Sequence, residues 1–353
     1  MRSTLSTIFI ALFILTACGN QTDQASKTED EVQADIEPIA TVEIDNAYYE
    51  IDEELLHFAQ DFPNVASSTS AKPLWQAIMC EIFNTPCQWD SGPFWVERFY
   101  QPEYSYPYRE EFLNFMSSHN VATGTHDAYL SLIDGSSDII LVARPPSKDE
   151  LGMADLNGVE LDIQPVALDA FVFIVNVHNP VDNLSLEQIR GMYSGEITNW
   201  KEVGGPDEEI QVYQRNDNSG SQELMKSLVM KDLAMIDAPD DMVLFSMTGP
   251  YSVLSSGSSY VDSGDVNGIA YSVYFYAQNI APHDDIEFIA IDGVEPTTAT
   301  IANGRYPLAA EVYLVIRDDM PKDSIPVQLR DWLLTNHGQF AVSQSGYVRV
   351  PNE

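Results

Sequence analysis

The sequence predicts an α/β fold. Short apolar runs of strand length, such as "DIILVA" (138–143) and "FVFIVN" (171–176), alternate with segments whose apolar residues recur at helical spacing. Apolar strands separated by helices belong to parallel or mixed sheets covered on both faces. The chain has 353 residues, 44% of them hydrophobic and 10% aromatic, which is enough for roughly two domains with cores of their own.

The N-terminus reads as an export signal. Arg2 precedes the apolar run Ile8–Leu15, and the small residues around Ala17 suit cleavage, so residues 1–17 form the expected signal peptide. The run is too short to span a bilayer, and no later stretch is apolar enough to do so. "LTAC" followed by Gly19 resembles the lipobox of bacterial lipoproteins, which implies a lipid on Cys18 and a soluble body tethered to a membrane. Residues 18–40, rich in Gln, Thr, Asp, Glu and Ser, read as a disordered acidic spacer.

Further along, "FPNVASS" reads as the end of a strand, and "KPLWQAIMCEIF" and "YREEFLNFMSSH" as helices. Then come the strands "DIILVA" and "FVFIVN", a helix "SLEQIRGMYSG" stopped by Gly195, a helix "SQELMKSLVM" and a late strand "EVYLVI". Cys80 and Cys87 bracket "CEIFNTPC", and in an exported protein a local disulfide is the leading reading. Two thiolates would need two further ligands to hold a metal, and none of the six His stands in a pattern such as HExxH, so neither metal nor cofactor is expected.

Charge narrows the partners. Seventeen Lys and Arg against 54 Asp and Glu give a formal net charge of -37, which repels a phosphate backbone and argues against nucleic acid. Such self-repulsion suits a medium whose cations screen it.

The stretch "QRNDNSGSQE" (214–223) is the most informative. Arg215 precedes a loop of small polar residues, and Ser219, Gly220 and Ser221 stand where a helical pattern begins. Free N–H groups at a helix start, with hydroxyls and a guanidinium, make an anion site; an ordinary Ser-Gly cap with a surface Arg is the plain alternative. Ser68, Thr69 and Ser70 precede Pro73 and another helix, where they would cap it or face a ligand, and Thr125 is a third hydroxyl before a helical segment. Converging, three such starts would neutralise an anion with little net positive charge. Asp138, just before a strand, would repel a fully ionised anion yet could accept a hydrogen bond from a protonated one, selecting phosphate over sulfate; a turn or capping Asp is the alternative. Arg144 reads as a second ligand or as half of a hinge-side salt bridge, and His126 as a ligand contact or a satisfied His. Ser219 lacks GxSxG and an ordered His and acid, so nucleophilic catalysis is not supported and no enzyme is expected.

As a set, "FVFIVNVHNPVDNLSLEQIRGMYSGEITNWKEVGG", "VYQRNDNSGSQELM", "DIILVARPPSKDE", "GIAYSVYFYA" and "YPLAAEVYLVI" resemble the PstS-like phosphate-binding proteins of ABC transporters, from about residue 60 onward. The resemblance implies a two-lobed periplasmic-binding-protein-like fold of type II, with a ligand cleft between lobes joined by crossover strands. One lobe would comprise residues 41–170 plus 306–353, and the other 171–305. It implies phosphate ligands at Ser68, Thr69, Ser70, Thr125, Asp138 as the acceptor carboxylate, Arg215, Ser219, Gly220 and Ser221; Arg144 stays a further candidate on its own chemistry. The family's opening "GSTS" has Ser67 in place of Gly here, so the first loop is expected to approach the ligand less closely. The expected function is high-affinity capture of inorganic phosphate and its delivery to a membrane permease, by a monomer lipid-anchored on a bacterial membrane. The alternative is a phosphate-sensing or scavenging lipoprotein without a transporter.

Overall fold

A computed structural model describes residues 58, 62–91, 97–255 and 264–351. The signal peptide, Cys18, the spacer and residues 41–57 of the first lobe lie outside the described residues.

The strands, in order, are β1 (Val65–Ser67), β2 (Cys87–Ser91), β3 (Arg98–Pro102), β4 (Asn120–Ala122), β5 (Ile139–Val142), β6 (Leu161–Asn176), β7 (Asn183–Leu184), β8 (Gln211–Val212), β9 (Gln214–Arg215), β10 (Val243–Leu244) and β11 (Gly268–Val273). They are followed by β12 (Ile286–Phe288), β13 (Ala290–Ile291), β14 (Ala309–Arg317) and β15 (Val348–Arg349). The main sheet runs β4-β1-β5-β14-β6-β11-β8, with β12 and β15 also paired to β6. It is mixed: β4, β1 and β5 are parallel to one another, while β14 is antiparallel to both β5 and β6.

The architecture is a two-lobed α/β fold joined by crossover strands. Its key element is β6, whose first part pairs with β14 as far as Ala170, opposite Ala309, and whose second part pairs with β11 from Phe171, opposite Val273. One continuous strand therefore serves both lobes. It is longer than the apolar run "FVFIVN", because residues 161–165 are only partly covered and carry no continuous apolar signal.

Both faces of the first lobe's sheet are covered, as the apolar runs require. Ile139 and Leu141 enter the main core with helix α1 (Lys72–Ile82). Ile140 and Val142 point the other way and pack with Ala128, Tyr129 and Leu132 of a later helix, α3 (Thr125–Asp134), which follows α2 (Arg109–His119). In the second lobe, the helix Leu186–Ser194 opens with a Ser185/Gln188 capping box and ends at Gly195, whose φ of 82° is the left-handed cap that favours glycine. The expected helix over 221–230 is a short α-helix, Gly220–Leu224, continued by π-helical turns over Met225–Met230.

Cys80, on α1, and Cys87, at the start of β2, are joined by a disulfide, their Cα atoms 6.2 Å apart. The bond ties α1 to the β2–β3 hairpin, where Trp89 packs edge-on against Tyr100. Replacing both cysteines with Ala is expected to lower the unfolding free energy by about 2–3 kcal/mol, the loop-closure value for a ring this small. Urea denaturation reads this directly, and an unchanged midpoint would show that the hairpin needs no staple.

Among the described residues no helix is long and apolar enough to cross a membrane, and no group of three His, Cys, Asp or Glu is placed to hold a metal.

Candidate functional site

The carboxyl ends of β1, β4 and β5 lie along one rim of the first lobe, because the three strands are parallel and in register. Their following residues, Ser68–Ser70, Thr123–Thr125 and Ala143, line a cleft of about 530 Å³. The opposite wall comes from the second lobe: Arg215–Ser221 after β9, Phe245–Thr248 after β10, and Val273 at the end of β11. Strand ends and helix starts from two lobes thus meet where open α/β sheets place their ligands.

Ser68 and Ser70 are buried and 3.4 Å apart at their hydroxyls, whereas Thr69 is exposed. Ser68 Oγ also accepts the Ala71 N–H at 3.3 Å, and the Ser70 carbonyl accepts the Tyr347 hydroxyl at 3.0 Å, so the loop is anchored to the C-terminal segment. Thr125 opens α3 after Gly124, whose φ of 99° lets the chain turn sharply into the helix. Across the cleft, Ser219 caps the second lobe's helix by accepting the Gln222 N–H at 3.2 Å. Gly220 lies so close to Thr125 that a Cβ there would stand 2.9 Å from the Thr125 hydroxyl. The two helix starts face each other at van der Waals range.

Two buried arginines have opposite circumstances. Arg144, 3% exposed, places Nη1 and Nη2 at 2.8 and 2.7 Å from the two carboxylate oxygens of Glu150. Burial pushes the Glu150 carboxyl up, but the bonds and charge of Arg144, with the Ser147 N–H and His126, more than offset it and hold it below the ordinary glutamate range. Arg215, 7% exposed, has no carboxylate partner among the described residues. Its Nε donates to the Leu244 carbonyl at 2.9 Å, and its Nη1 to Ser221 Oγ at 3.3 Å and Met247 Sδ at 3.1 Å. Its backbone N–H donates to Tyr271 Oη at 2.9 Å, so main chain and side chain are both fixed. Burial lowers its pKa from the arginine value, which is the cost of holding a cation out of water with no counter-ion.

Ser68, Thr69, Ser70, Thr125, Arg215, Ser219, Gly220 and Ser221 therefore line one cleft. Two other candidates do not join them. Asp138 precedes β5 rather than following it, and its Oδ2 accepts the Asn64 N–H at 2.9 Å beside the start of β1. It sits at the amino end of the strands, in a surface hollow with Phe62, His119 and Arg317, with the length of β5 between it and the cleft. Arg144 is consumed by Glu150, so of the two readings open for it the salt bridge is the one present, and His126 joins that pair through Nδ1 at 3.0 Å from Glu150 Oε1. His126 also borders the cleft.

The sequence reading missed several cleft residues, among them Thr123, Met247 and Glu97, which lies just before β3. Met247 is unremarkable by composition, and its role as a contact of Arg215 comes from the pairing of β9 with β10, which brings residues 214–215 beside 243–244.

The PBP superfamily domain profile matches residues 104–344. Among curated proteins, the chain is 25% identical over 186 residues to the phosphate-binding protein PstS of Borreliella burgdorferi, covering 52% of this chain and 64% of that one. It is 28% identical over 240 residues to the phosphate-binding protein PstS of Staphylococcus saprophyticus, covering 65% of this chain and 70% of that one. A solved ABC-type phosphate transport receptor from Vibrio cholerae superposes with a TM-score of 0.55 at 20% identity, over 81% of this chain and 98% of that chain.

Proposed function

Because the chain belongs to the PBP superfamily, we propose that it captures inorganic phosphate between its two lobes and delivers it to the permease of an ABC transporter. The observation that carries this reading is Arg215, a buried guanidinium without a counter-ion among the described residues, standing beside Ser221 and the helix start at Ser219–Gly220. The relatives called phosphate-binding proteins support the choice of ligand.

Phosphate would be held from one lobe by the hydroxyls and N–H groups of Ser68, Thr69, Ser70 and Thr125, and from the other by Arg215, Ser219, Gly220 and Ser221. The net charge of -37 does not forbid this, since a desolvated site selects by short hydrogen bonds while the surface field is screened within about 10 Å at 0.1 M salt. Lobes of residues 41–170 plus 306–353 and of 171–305 would close by bending at β6 and β14, and closure is the whole of the work, with no bond made or broken. A lipid on Cys18 would tether the monomer at the membrane surface beside its permease.

Calorimetric titration of the ligand-stripped chain with phosphate, repeated in excess sulfate, tests the reading. One phosphate per chain that sulfate fails to displace is the expected result. A folded sample that takes up no phosphate would end it.

A further inference from the structure

Among the described residues, Met247 is the one methionine that lines the cleft. Its segment, Phe245–Thr248, follows β10 and is held in a turn by the Gly249 N–H, which donates to the Ser246 carbonyl at 3.1 Å. Phe245 and Ser246 are exposed and Met247 is half-buried, so the residue is open to solvent along the cleft. Of the other described methionines, Met153 is exposed and Met235, Met242 and Met320 are half-buried, but none of these four borders the cleft; the remaining five are buried. Met247 also touches the cation on which the phosphate reading rests. Its Sδ accepts from Arg215 Nη1 at 3.1 Å, the same nitrogen that donates to Ser221 Oγ at 3.3 Å.

A thioether is a weak acceptor, which an oxyanion displaces from a guanidinium at little cost. Its sulfur lone pair is also what a peroxide oxidises. With hydrogen peroxide the sulfur gives up two electrons: an S–O bond forms as the O–O bond breaks, and the second oxygen leaves as water with both protons. The sulfoxide that results carries a strongly polar oxygen, formed within reach of Nη1. Tethered there, it competes with every incoming oxyanion for that donor and sets partial negative charge on the cleft wall. A disulfide such as Cys80–Cys87 belongs to surroundings where thiols are not kept reduced, and a peroxide persists in the same surroundings.

We propose that Met247 is an oxidation site through which peroxides turn down phosphate capture: its sulfoxide oxygen takes the Nη1 donor of Arg215 that the anion would otherwise use. The inference rests on the phosphate reading and adds to it a reversible chemical control, since sulfoxide reductases return methionine sulfoxide to the thioether. Arg215 and the hydroxyls do the binding, and Met247 sets how much of Arg215 is free to do it.

The test compares the parent chain, Met247→Leu and Met247→Gln before and after hydrogen peroxide. Phosphate affinity is read by titration calorimetry, the oxidised residues by peptide mass spectrometry and the fold by circular dichroism. Oxidation of Met247 in the parent should weaken phosphate binding on the order of 10- to 100-fold, the worth of one charge-assisted hydrogen bond. Treatment with the two stereospecific sulfoxide reductases should restore it. Met247→Leu has no oxidisable group at this position, so its affinity after peroxide should equal its affinity before. In Met247→Gln the amide oxygen accepts where the sulfoxide oxygen would, so the untreated variant should bind phosphate about as weakly as the oxidised parent. Unchanged affinity in a parent whose Met247 is oxidised overturns the proposal. So does an equal fall in the parent and Met247→Leu, which assigns the effect to Met153 or another methionine, and so does a Met247 still reduced when Met153 is fully oxidised. If Met247→Leu does not fold, Met247→Gln decides it with the parent's own response, and a parent-like affinity in that variant overturns it. A parent chain that binds no phosphate before peroxide defeats the underlying reading instead, which separates the two failures.

Discussion

Arg215→Met is expected to abolish phosphate binding at micromolar concentrations while leaving the fold in place. Among the described residues lining the cleft, the guanidinium is the one buried cation that no carboxylate neutralises, so it is the group an anion can pair with without first breaking an internal ion pair. Charge-assisted hydrogen bonds contribute about 1.5–3 kcal/mol each, and two lost together weaken binding on the order of 100- to 10,000-fold. The unliganded chain should not suffer in proportion. Met fills a similar volume and removes the desolvation cost of an unpaired charge, against the loss of the bonds to Leu244 and Ser221. Titration calorimetry and a thermal melt together read the two effects. Undiminished binding would place the ligand elsewhere, and a collapsed melting curve would make Arg215 a structural residue.

Asp169→Asn should remove a pH dependence of stability. Asp169 lies on β6, two residues before Phe171, where the partner strand changes, and it is wholly buried. Its Oδ1 accepts the N–H groups of Ala170 at 2.8 Å and Phe275 at 2.9 Å, while Oδ2 has no hydrogen-bond partner among the described residues. Burial pushes the carboxyl up to about 7, against the pull of those two N–H groups. The unfolded chain releases this proton near pH 4 and the folded chain keeps it until about 7, so between those limits the unfolded state binds fewer protons and stability falls as pH rises. The fall attributable to Asp169 is about 4 kcal/mol in order of magnitude. Asn carries no such proton, and the other carboxylates are common to both chains. The difference between parent and variant is therefore the diagnostic: it should favour the variant progressively from pH 4 to pH 7 and level off above. A constant difference across that range would mean that the carboxyl ionises as easily folded as unfolded.

How much of this was legible in the residues depends on the range over which each signal acts. The α/β class follows from "DIILVA", which is buried on both faces in the structure, and from the helix stopped at Gly195, both local signals. The serine-rich helix starts were legible for the same reason, since a cap and its free N–H groups are written within a few residues. Asp138 was misread because a strand has two ends and only pairing shows which one meets the ligand. Arg144 had two readings, and the sequence alone could not choose between them; the fold decides by burying Glu150 against it. The β2–β3 hairpin escaped notice because "CQWDS" and "RFYQP" are half-covered and mix polar with apolar residues, and Glu97 is one acid among 54 Asp and Glu. Its hydrogen-bond partner Tyr276 lies far along the chain.

On this reading one oxyanion sits between the two lobes on Arg215 and the facing hydroxyls. A crystal structure of the chain grown with phosphate tests it most directly. A single phosphate is expected in the cleft, accepting from Arg215, from a hydroxyl of Ser68–Ser70 or Thr125 on one side and from Ser219 or Ser221 on the other. A cleft empty at saturating phosphate, or phosphate bound with Arg215 left untouched, would contradict it.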